Sequence, residues 1–314
     1  MKPARIVFPS FWFGTSNLRE AILLARRGVG GFCVYGGTAQ ETQDFIARMR
    51  DASPYDNLLF CADISDNLSE VIKDAPVLPS NPKITQMPEH DAPYRKGYLT
   101  ARMARSIGIN WVLAPVIDLG YSAPAFSDVP LKVTQMAGDF VAGLSNGGVI
   151  NCIKYFPGVS GTLKTLAQME DAEFVPYKHL FRRADAIMPS DMTFPYIDND
   201  NQAMLSEKVI QGVLKKRLNY KGCVVSFPLH KGHLHSEETG ALHMLRCKVE
   251  NILAPTHANS IIDAVEKEVE RGLLTDEIIH AVSNHELFLS KVNMAPEPLP
   301  VKESFRLAEQ GFER

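Results

Sequence analysis

The stretch LSEKVIQGVLKKRLNYKGCVVSF, residues 205–227, decides the fold because a helix pattern leads directly into a strand pattern. Ser206 is a good N-cap residue, and after it apolar residues recur at helical spacing among lysines and an arginine. Gly222 then precedes the apolar run 223–225. A short strand without polar alternation is typical of a parallel sheet that helices cover on both faces. The stretch therefore predicts one helix–strand unit of such a sheet.

The same unit recurs along the whole chain of 314 residues. Apolar runs predict eight strands, at 5–8, 30–35, 57–63, 108–118, 148–156, 184–190, 222–227 and 249–255. Helix patterns separate them, including 17–27 with Asn17 as a cap and two helices within 259–293. This alternation predicts an α/β fold, a single-domain (β/α)8 TIM-type barrel from about residue 5 to 293. A doubly wound open sheet is the alternative, although no G-x-G-x-x-G follows the first strand.

Composition and charge exclude several classes of protein. Hydrophobic residues make up 45% and charged residues 22%, which is close to the average of globular domains. A net charge of -3 and the lack of a basic run argue against a nucleic-acid partner. No apolar run approaches the ~18 residues of a membrane span, and the first residues lack the pattern of a secretory signal. The five cysteines contain no C-x-x-C pair, so we expect buried, reduced thiols and a cytoplasmic protein.

Three stretches lie outside the strand and helix patterns. Residues 64–93 and 157–183 follow strands, so both are expected at the carboxyl-terminal mouth of the barrel, where long loops carry function. The stretch MAPEPLPVKESF, from about residue 294, is Pro-rich. We expect it to pack on the outside as part of one domain that covers residues 1–314.

Polar residues end most of the predicted strands. They are Ser10, Tyr35, Asp63, Asp118, Lys154 with Tyr155, Asp191, His230 and His257. In a parallel barrel these side chains converge on one mouth. A charge directly after an apolar run is costly to desolvate without a partner. The pattern predicts a polar pocket for a small molecule, and the alternative is a set of ion pairs that only closes the barrel.

Longer motifs follow one another in the order of a known family. They are GVGGFCVY (28–35), LLFCAD (58–63), ARSIGINWVLAPVIDL (104–119), FVAGLSNGGVINCIKYFPG (140–158), ADAIMPSDMTFPYIDND (184–200), LSEKVIQGVLKKRLNYKGCVVS (205–226) and AVEKEVERGLLTDEIIHAVSNHELFLSK (264–291). The chain thus resembles the N-terminal catalytic domain of glycoside hydrolase family 3, and most of all its single-domain bacterial β-N-acetylhexosaminidases. The resemblance implies a TIM-type barrel and retaining hydrolysis of terminal β-linked glucosyl or N-acetylglucosaminyl units.

The resemblance also implies which residues bind the sugar. Asp63 and Lys154 match the Asp and Lys with which the family binds a sugar. Tyr155 replaces the His beside that Lys, and Asp191 replaces the His after the sixth strand. The family's E-G-G after the third strand and its sugar-binding Arg in the fourth loop have no counterpart here. The resemblance therefore predicts a ligand different from N-acetylglucosamine.

Both catalytic groups of the family fall on residues that cannot replace them. The nucleophilic Asp directly follows the Ser that ends the seventh strand, and here Phe227 follows Ser226. The Asp–His pair that donates the proton falls at Thr165 and Ala167. A phenyl ring cannot attack the anomeric carbon, and none of these replacements titrates near neutral pH. The resemblance thus predicts that the family's double displacement is lost.

The remaining candidates are other polar residues at the mouth. Asp191 is the candidate catalytic residue, because paired carboxylates shift each other's pKa and can divide acid and base roles. The candidate substrate-binding residues are Asp63, Asp118, Lys154, Tyr155 and His230. His230, His233 and His235 are dense enough to hold a transition metal, but H-x-x-H-x-H is not a strong signature. Neither a metal nor another cofactor is expected.

Two functions remain open from the sequence. The first is an enzyme of altered mechanism that acts on a sugar or sugar-derived small molecule at the barrel mouth. The second is a catalytically inactive relative that serves as a glycan-binding or protein-interaction module. By resemblance the chain is a hydrolase of O-glycosyl compounds, but the missing groups leave its activity open. A small carbohydrate or derivative is the expected partner, with no role for nucleic acid or membrane.

Overall fold

Eight parallel strand positions close into a barrel in the computed structural model, which describes residues 2–232 and 234–312. The strands in chain order are β1 Val7–Phe8, β2 Ser10–Trp12, β3 Gly31–Tyr35, β4 Leu59–Ala62, β5 Trp111–Val112, β6 Ile150–Phe156, β7 Ala186–Pro189, β8 Thr193–Phe194, β9 Asp198–Gln202, β10 Cys223–Val224 and β11 Ile252–Leu253. β1 and β2 form one strand position, interrupted at Pro9. β8 and β9 form an antiparallel hairpin outside the barrel.

Closure of the barrel depends on the first and last strands. One sheet runs in the order β2, β3, β4, β5, β6, β7 and β10, with every pair parallel. β1 pairs in parallel with β11, where Val7 lies opposite Ile252, and Val225 bridges to Asn251 next to β11. The predicted (β/α)8 barrel is therefore confirmed, and the open-sheet alternative is wrong.

Helices cover the outside of the barrel. They are α1 Leu18–Arg27, α2 Ala39–Ala52, α3 Asn81–Gln86, α4 Ala92–Ile107, α5 Pro130–Asn146, α6 Leu166–Glu170, α7 Phe174–Leu180, a π-type helix at Lys208–Arg217, α8 Glu237–Arg246, α9 Ala258–Glu270, α10 Thr275–Asn293 and α11 Val301–Gln310. Neighbouring helices pack on each other, as α1 does on α2 and α4 on α5. Within the described residues, no helix combines the length and the apolar character that crossing a membrane requires.

Side-chain caps fix where several of these helices begin. The Asn17 side chain accepts a hydrogen bond from the Arg19 amide at 2.9 Å, as the sequence predicted. The Ser206 hydroxyl accepts one from the Val209 amide at 3.1 Å and donates one to Asp198 at 2.7 Å. Ser206 therefore caps the π-type helix and ties it to the β8–β9 hairpin.

Large aromatic residues fill the amino-terminal end of the barrel. Phe8 packs edge-on against Trp111 with ring centroids 5.4 Å apart, and Phe288 of α10 covers Trp111 from outside. The five cysteines all lie within the described residues, where they are buried and free. This burial agrees with the expectation of packed, reduced thiols.

A helix that the sequence analysis did not predict follows the prolines of the C-terminal tail. α11 begins directly after Pro300 and packs on α4. Arg95 of α4 donates a hydrogen bond to the Gly311 carbonyl oxygen at 3.0 Å. Proline is well tolerated just before a helix, so a Pro-rich segment can end in one.

Candidate functional site at the carboxyl ends of the strands

A buried cluster of one carboxylate and two ammonium groups lies at the centre of the mouth. Lys154, at the end of β6, donates hydrogen bonds of 2.8 Å to Asp63 Oδ1 and to the Ile64 carbonyl oxygen. Lys231, in the loop after β10, donates one of 2.6 Å to Asp63 Oδ2. Lys154 is fully buried and Asp63 is 7% exposed. We call Asp63, Lys154 and Lys231 the Asp63 cluster.

The charges in the Asp63 cluster hold each other ionised. Burial alone would raise the pKa of Asp63, but the ammonium groups of Lys154 and Lys231 outweigh it and lower this pKa to about 2. Burial alone would lower the pKa of Lys154, but the Asp63 carboxylate reverses this and raises it. The cluster therefore carries one negative and two positive charges at neutral pH.

Three rings stand beside the Asp63 cluster. Trp12 stacks on Tyr35 with centroids 4.3 Å apart, and His230 meets both rings edge-on at 5.3 and 5.2 Å. Lys231 Nζ lies 5.8 Å from the centre of the Tyr35 ring. Rings and a cation in this arrangement form a rigid wall on which the apolar face of a ligand can stack.

Phe227 occupies the position at which the resemblance places the nucleophile. Its ring packs against Tyr155 with centroids 5.5 Å apart. Ser226, directly before it, is buried, and its hydroxyl accepts a hydrogen bond from the Leu253 amide at 2.8 Å. The strand thus ends in a structural hydroxyl followed by an aromatic ring.

The segment expected to carry the acid/base pair is instead a short helix. Thr165 is the N-cap of α6 and forms a capping box with Gln168. Ala167 lies within that helix. Both residues therefore serve the start of a helix, and neither offers a group that transfers protons.

Asp118 is a buried carboxylate with an unusual pKa. Its oxygens accept hydrogen bonds from the backbone amides of Val159 at 3.1 Å and Tyr155 at 3.4 Å. Burial raises the pKa of Asp118 to about 7, and the two amide hydrogen bonds only partly oppose the rise. Asp118 therefore both fixes the loop after β6 and changes its protonation near neutral pH.

Asp118 and the candidate catalytic Asp191 line the same cavity. This cavity holds about 420 Å³, and its wall includes Tyr155, Ser190 and Phe227. Asp191 is half-buried at the end of β7, at the point where the chain leaves the barrel for the β8–β9 hairpin. We call this the Asp118 cavity.

A second cavity of about 340 Å³ opens on the other side of the loop after β10. Its wall includes Ser10, Trp12, His230 and Thr256. The predicted site residues Ser10 and His230 therefore lie here. His257 lies farther out, directly before α9, and its amide donates a hydrogen bond of 2.9 Å to Glu237.

Two charged residues near the site escaped the sequence prediction. Lys231 was passed over because its partner Asp63 stands 168 positions away in the chain. Glu173, in the loop after β6, is buried and accepts hydrogen bonds from Ser160 at 2.8 Å and Lys164 at 2.6 Å. The one sequence signal available for Lys231 was its place directly after the strand-end residue His230.

The histidine segment 230–235 was a possible metal site from the sequence. Among the described residues, no group of three or more His, Cys, Asp or Glu side chains is placed to hold a metal ion. His233 lies outside the described residues. His230 Nδ1 points at the Ala254 carbonyl oxygen at 3.2 Å, so one of its two nitrogens is already engaged. That no metal binds therefore stays a prediction.

A third cavity lies at the amino ends of the strands. It holds about 390 Å³ among Lys215, Glu250 and His280. Burial raises the pKa of Glu250, and Asn284, Lys215 and His280 contact its carboxylate. Active sites of TIM-type barrels lie at the opposite end, so we assign the candidate site to the mouth around the Asp63 cluster.

The closed parallel barrel and the charged groups at its carboxyl ends define a (β/α)8-barrel protein with a polar mouth. Residues 7–287 match the glycosyl hydrolase family 3 N terminal domain, and the chain belongs to this family. A β-hexosaminidase of Idiomarina loihiensis is 25% identical over 227 residues, which cover 65% of this chain and 68% of that protein. A β-hexosaminidase of Pseudomonas aeruginosa is 26% identical over 172 residues, which cover 49% of this chain and 50% of the relative.

Solved structures share the fold. A family 3 β-N-acetylglucosaminidase from Paenibacillus superposes with a TM-score of 0.85 at 20% identity, over 99% of this chain and 67% of that one. A family 3 glycosyl hydrolase from Mycobacterium smegmatis superposes with a TM-score of 0.77 at 21% identity, over 92% of this chain and 96% of that one. At these identities the likeness establishes the barrel and not the chemistry at its mouth.

Proposed function

We propose that the chain binds a sugar or sugar-derived small molecule at the mouth of the barrel without hydrolysing glycosides by double displacement. The observation that carries this proposal is the Asp63 cluster beside Phe227. Asp63 and Lys154 match the residues that the family uses to hold a sugar, and they form a buried ion pair. Phe227 puts an aromatic ring where the resemblance expects the attacking carboxylate.

The chemistry of retention explains why binding and hydrolysis separate here. Retaining hydrolysis needs a nucleophile on one side of the anomeric carbon and a proton donor on the other. Phe227 and the capping residue Thr165 supply neither. A sugar hydroxyl can still donate to Asp63, because each carboxylate oxygen has a second lone pair beyond its lysine.

A panel of sugars, read by thermal shift and then by calorimetry, tests this proposal. We expect at least one monosaccharide or derivative to stabilise the protein without being converted. Lys154→Met should weaken that binding about tenfold or more, because a charge-assisted hydrogen bond to the ligand or to Asp63 is lost. The exposed Lys302→Met on α11 is the matched control and should bind as the wild type does. A panel without any binder, or a Lys154→Met variant with unchanged affinity, would refute the proposal.

A second candidate function is acid–base chemistry in the Asp118 cavity. The observation that favours it is the shared cavity of Asp118 and Asp191, with a pKa of about 7 at Asp118. A group with that pKa takes up and releases protons readily near neutral pH. We expect Asp118→Asn and Asp191→Asn to abolish any conversion of the bound ligand and to keep its binding. The exposed Asp128→Asn on the same rim is the control. Conversion that survives both substitutions would exclude this candidate.

A further inference from the structure

We infer that the mouth selects a sugar derivative with a negatively charged group, a carboxylate or a phosphate, and that Lys231 sets this specificity. The inference rests on the proposed function, because it names the chemical class of the ligand at the same site. It comes from the charges and hydrogen-bond donors around Asp63. A neutral sugar would leave the positive charge among them without a counter-charge.

The charge balance of the Asp63 cluster is positive. Two ammonium groups share one carboxylate, since Lys154 takes Oδ1 and Lys231 takes Oδ2. Lys154 is fully buried, whereas the Lys231 side chain is 44% exposed, so the excess positive charge lies at the partly exposed Lys231. A second ammonium group beside a single shared carboxylate favours an anionic neighbour at that position.

Lys231 is the most exposed member of the cluster. Its side chain is 44% exposed, whereas that of Asp63 is 2% exposed and that of Lys154 is fully buried. Within the described residues its ammonium group makes one hydrogen bond, to Asp63. Two of its three N–H groups therefore remain for a ligand. An anion bound there would accept the remaining hydrogen bonds of the Lys231 ammonium group without displacing Asp63.

Two further polar atoms beside Lys231 are buried without a hydrogen-bond partner among the described residues. They are the hydroxyl of Tyr35, which is 4% exposed, and Nε2 of His230. Lys231 Nζ lies 5.8 Å from the centre of the Tyr35 ring, so we expect the Tyr35 hydroxyl to be a second donor on the side of the cluster where Lys231 holds the anion. Burial raises the pKa of Tyr35, so this hydroxyl keeps its proton.

His230 adds a requirement for a hydroxyl group on the ligand. Its Nδ1 faces the Ala254 carbonyl oxygen at 3.2 Å, so Nδ1 carries the proton. Burial lowers the pKa of His230, so the ring is neutral and Nε2 accepts a hydrogen bond. A sugar acid or sugar phosphate offers an anion to Lys231, a hydroxyl to His230 and an apolar face to the exposed Trp12 ring.

Acidic groups nearby set the limits of this positive region. Asp118 and Asp191 line the Asp118 cavity on the other side of Phe227. Asp118 carries only part of a charge at neutral pH, because burial raises its pKa to about 7. The anionic group is therefore expected on the side of Tyr35 and His230, away from Asp191.

Calorimetry with matched ligands tests the inference. The probes are glucose with glucuronate, galactose with galacturonate, and glucose 6-phosphate to distinguish phosphate from carboxylate. We expect the wild type to bind at least one acidic probe about tenfold or more tightly than its neutral counterpart. Lys231→Met should bring that ratio close to one, Lys231→Arg should retain most of it, and Lys302→Met should leave it unchanged. High salt should reduce the preference in the wild type, because the charge of Lys231 is partly exposed.

The outcomes separate the inference from the proposed function. Equal affinity for neutral and acidic probes, or a preference that Lys231→Met retains, would overturn the inference and leave sugar binding in place. If no probe and no sugar of the larger panel binds, the proposed function fails and the inference fails with it. Circular dichroism of Lys231→Met serves as the folding control, and a half-exposed side chain should be replaceable without loss of the fold.

Discussion

Phe227 is the residue on which the proposed loss of hydrolysis chiefly depends. Its ring packs on Tyr155, so a carboxylate at this position would lie against an aromatic surface. We expect Phe227→Asp to lose about 1–3 kcal/mol of the free energy of unfolding, measured by urea denaturation. Phe227→Leu should lose less, because it keeps an apolar side chain. Equal stability of Phe227→Asp and the wild type would contradict the packing described here.

The same substitution should not create a glycosidase. Phe227→Asp supplies a nucleophile, but the segment with Thr165 and Ala167 still lacks a proton donor. General acid–base help is worth roughly 10²–10⁴ in rate, so turnover of unactivated glycosides should stay at background. Hydrolysis of an unactivated disaccharide by this variant would mean that another acid serves the leaving group.

Asp118 should give the protein a pH-dependent stability of its own. Its folded pKa is raised to about 7, above the ~3.9 of an unfolded Asp, so the folded state holds the proton more tightly. Stability should therefore fall as pH rises from about 4 to 7, by at most ~4 kcal/mol, and level off above. Asp63, whose pKa is lowered to about 2, has the opposite effect in a lower pH range. Its contribution to stability is lost as pH drops below about 4.

Asp118→Asn isolates this contribution, because Asn cannot titrate. The difference in free energy of unfolding between variant and wild type should shift in favour of the variant between pH 5 and pH 8, measured by urea denaturation. The control is Glu309→Gln, an exposed position on α11, which should show no such trend. Parallel pH profiles for Asp118→Asn and the wild type would show that the carboxylate is not protonated in the folded state.

Among the helices, two serine caps differ in burial: Ser206 at the start of the π-type helix and Ser236 at the start of α8. Ser206 is buried and holds both the Val209 amide and Asp198. Ser236 caps α8 with one hydrogen bond of 3.3 Å to Thr239 and is exposed. We expect Ser206→Ala to cost about 1–3 kcal/mol because a helix amide and a buried carboxylate each lose one hydrogen bond, and Ser236→Ala to cost ~1 kcal/mol or less. A larger loss for Ser236→Ala would be inconsistent with the structure.

The elements themselves were largely predictable from the sequence. The run 30–35 is apolar throughout and 148–156 is apolar except for Asn151 and Lys154, a pattern typical of strands covered on both faces. The caps Asn17 and Ser206 were visible because the signal lies within a few residues. The helix α11 was missed because the prolines before it dominate the local composition.

The site was less predictable, because its contacts join distant parts of the chain. Strand-end residues such as Asp63 and Lys154 converge because of the barrel, and this was expected. The role of Lys231 and the pKa of Asp118 depend on distances and burial that no local pattern encodes. The assignment of residues 1–314 to one domain and the roles of the candidate residues remain predictions.

In the whole molecule, the barrel of the family carries a mouth whose chemistry we propose to be different. The terminal strands β1 and β11 close the barrel, and the Asp63 cluster lies at its mouth. Phe227 and Thr165, at the two positions where the resemblance places the catalytic groups, are an aromatic ring after a strand and a helix cap in a loop. We therefore propose that the molecule binds its ligand and does not perform retaining hydrolysis.

The most direct test is an assay of the wild-type protein on aryl β-glucosides and aryl β-N-acetylglucosaminides, with the stereochemistry of any product followed by NMR. A reactive aryl leaving group needs little protonation, so the assay is sensitive to any surviving nucleophile. We expect no release of the aryl alcohol above the rate in buffer. Robust turnover with retention of configuration would contradict it, because another carboxylate, such as Asp191 or Asp63, would then have to act as the nucleophile.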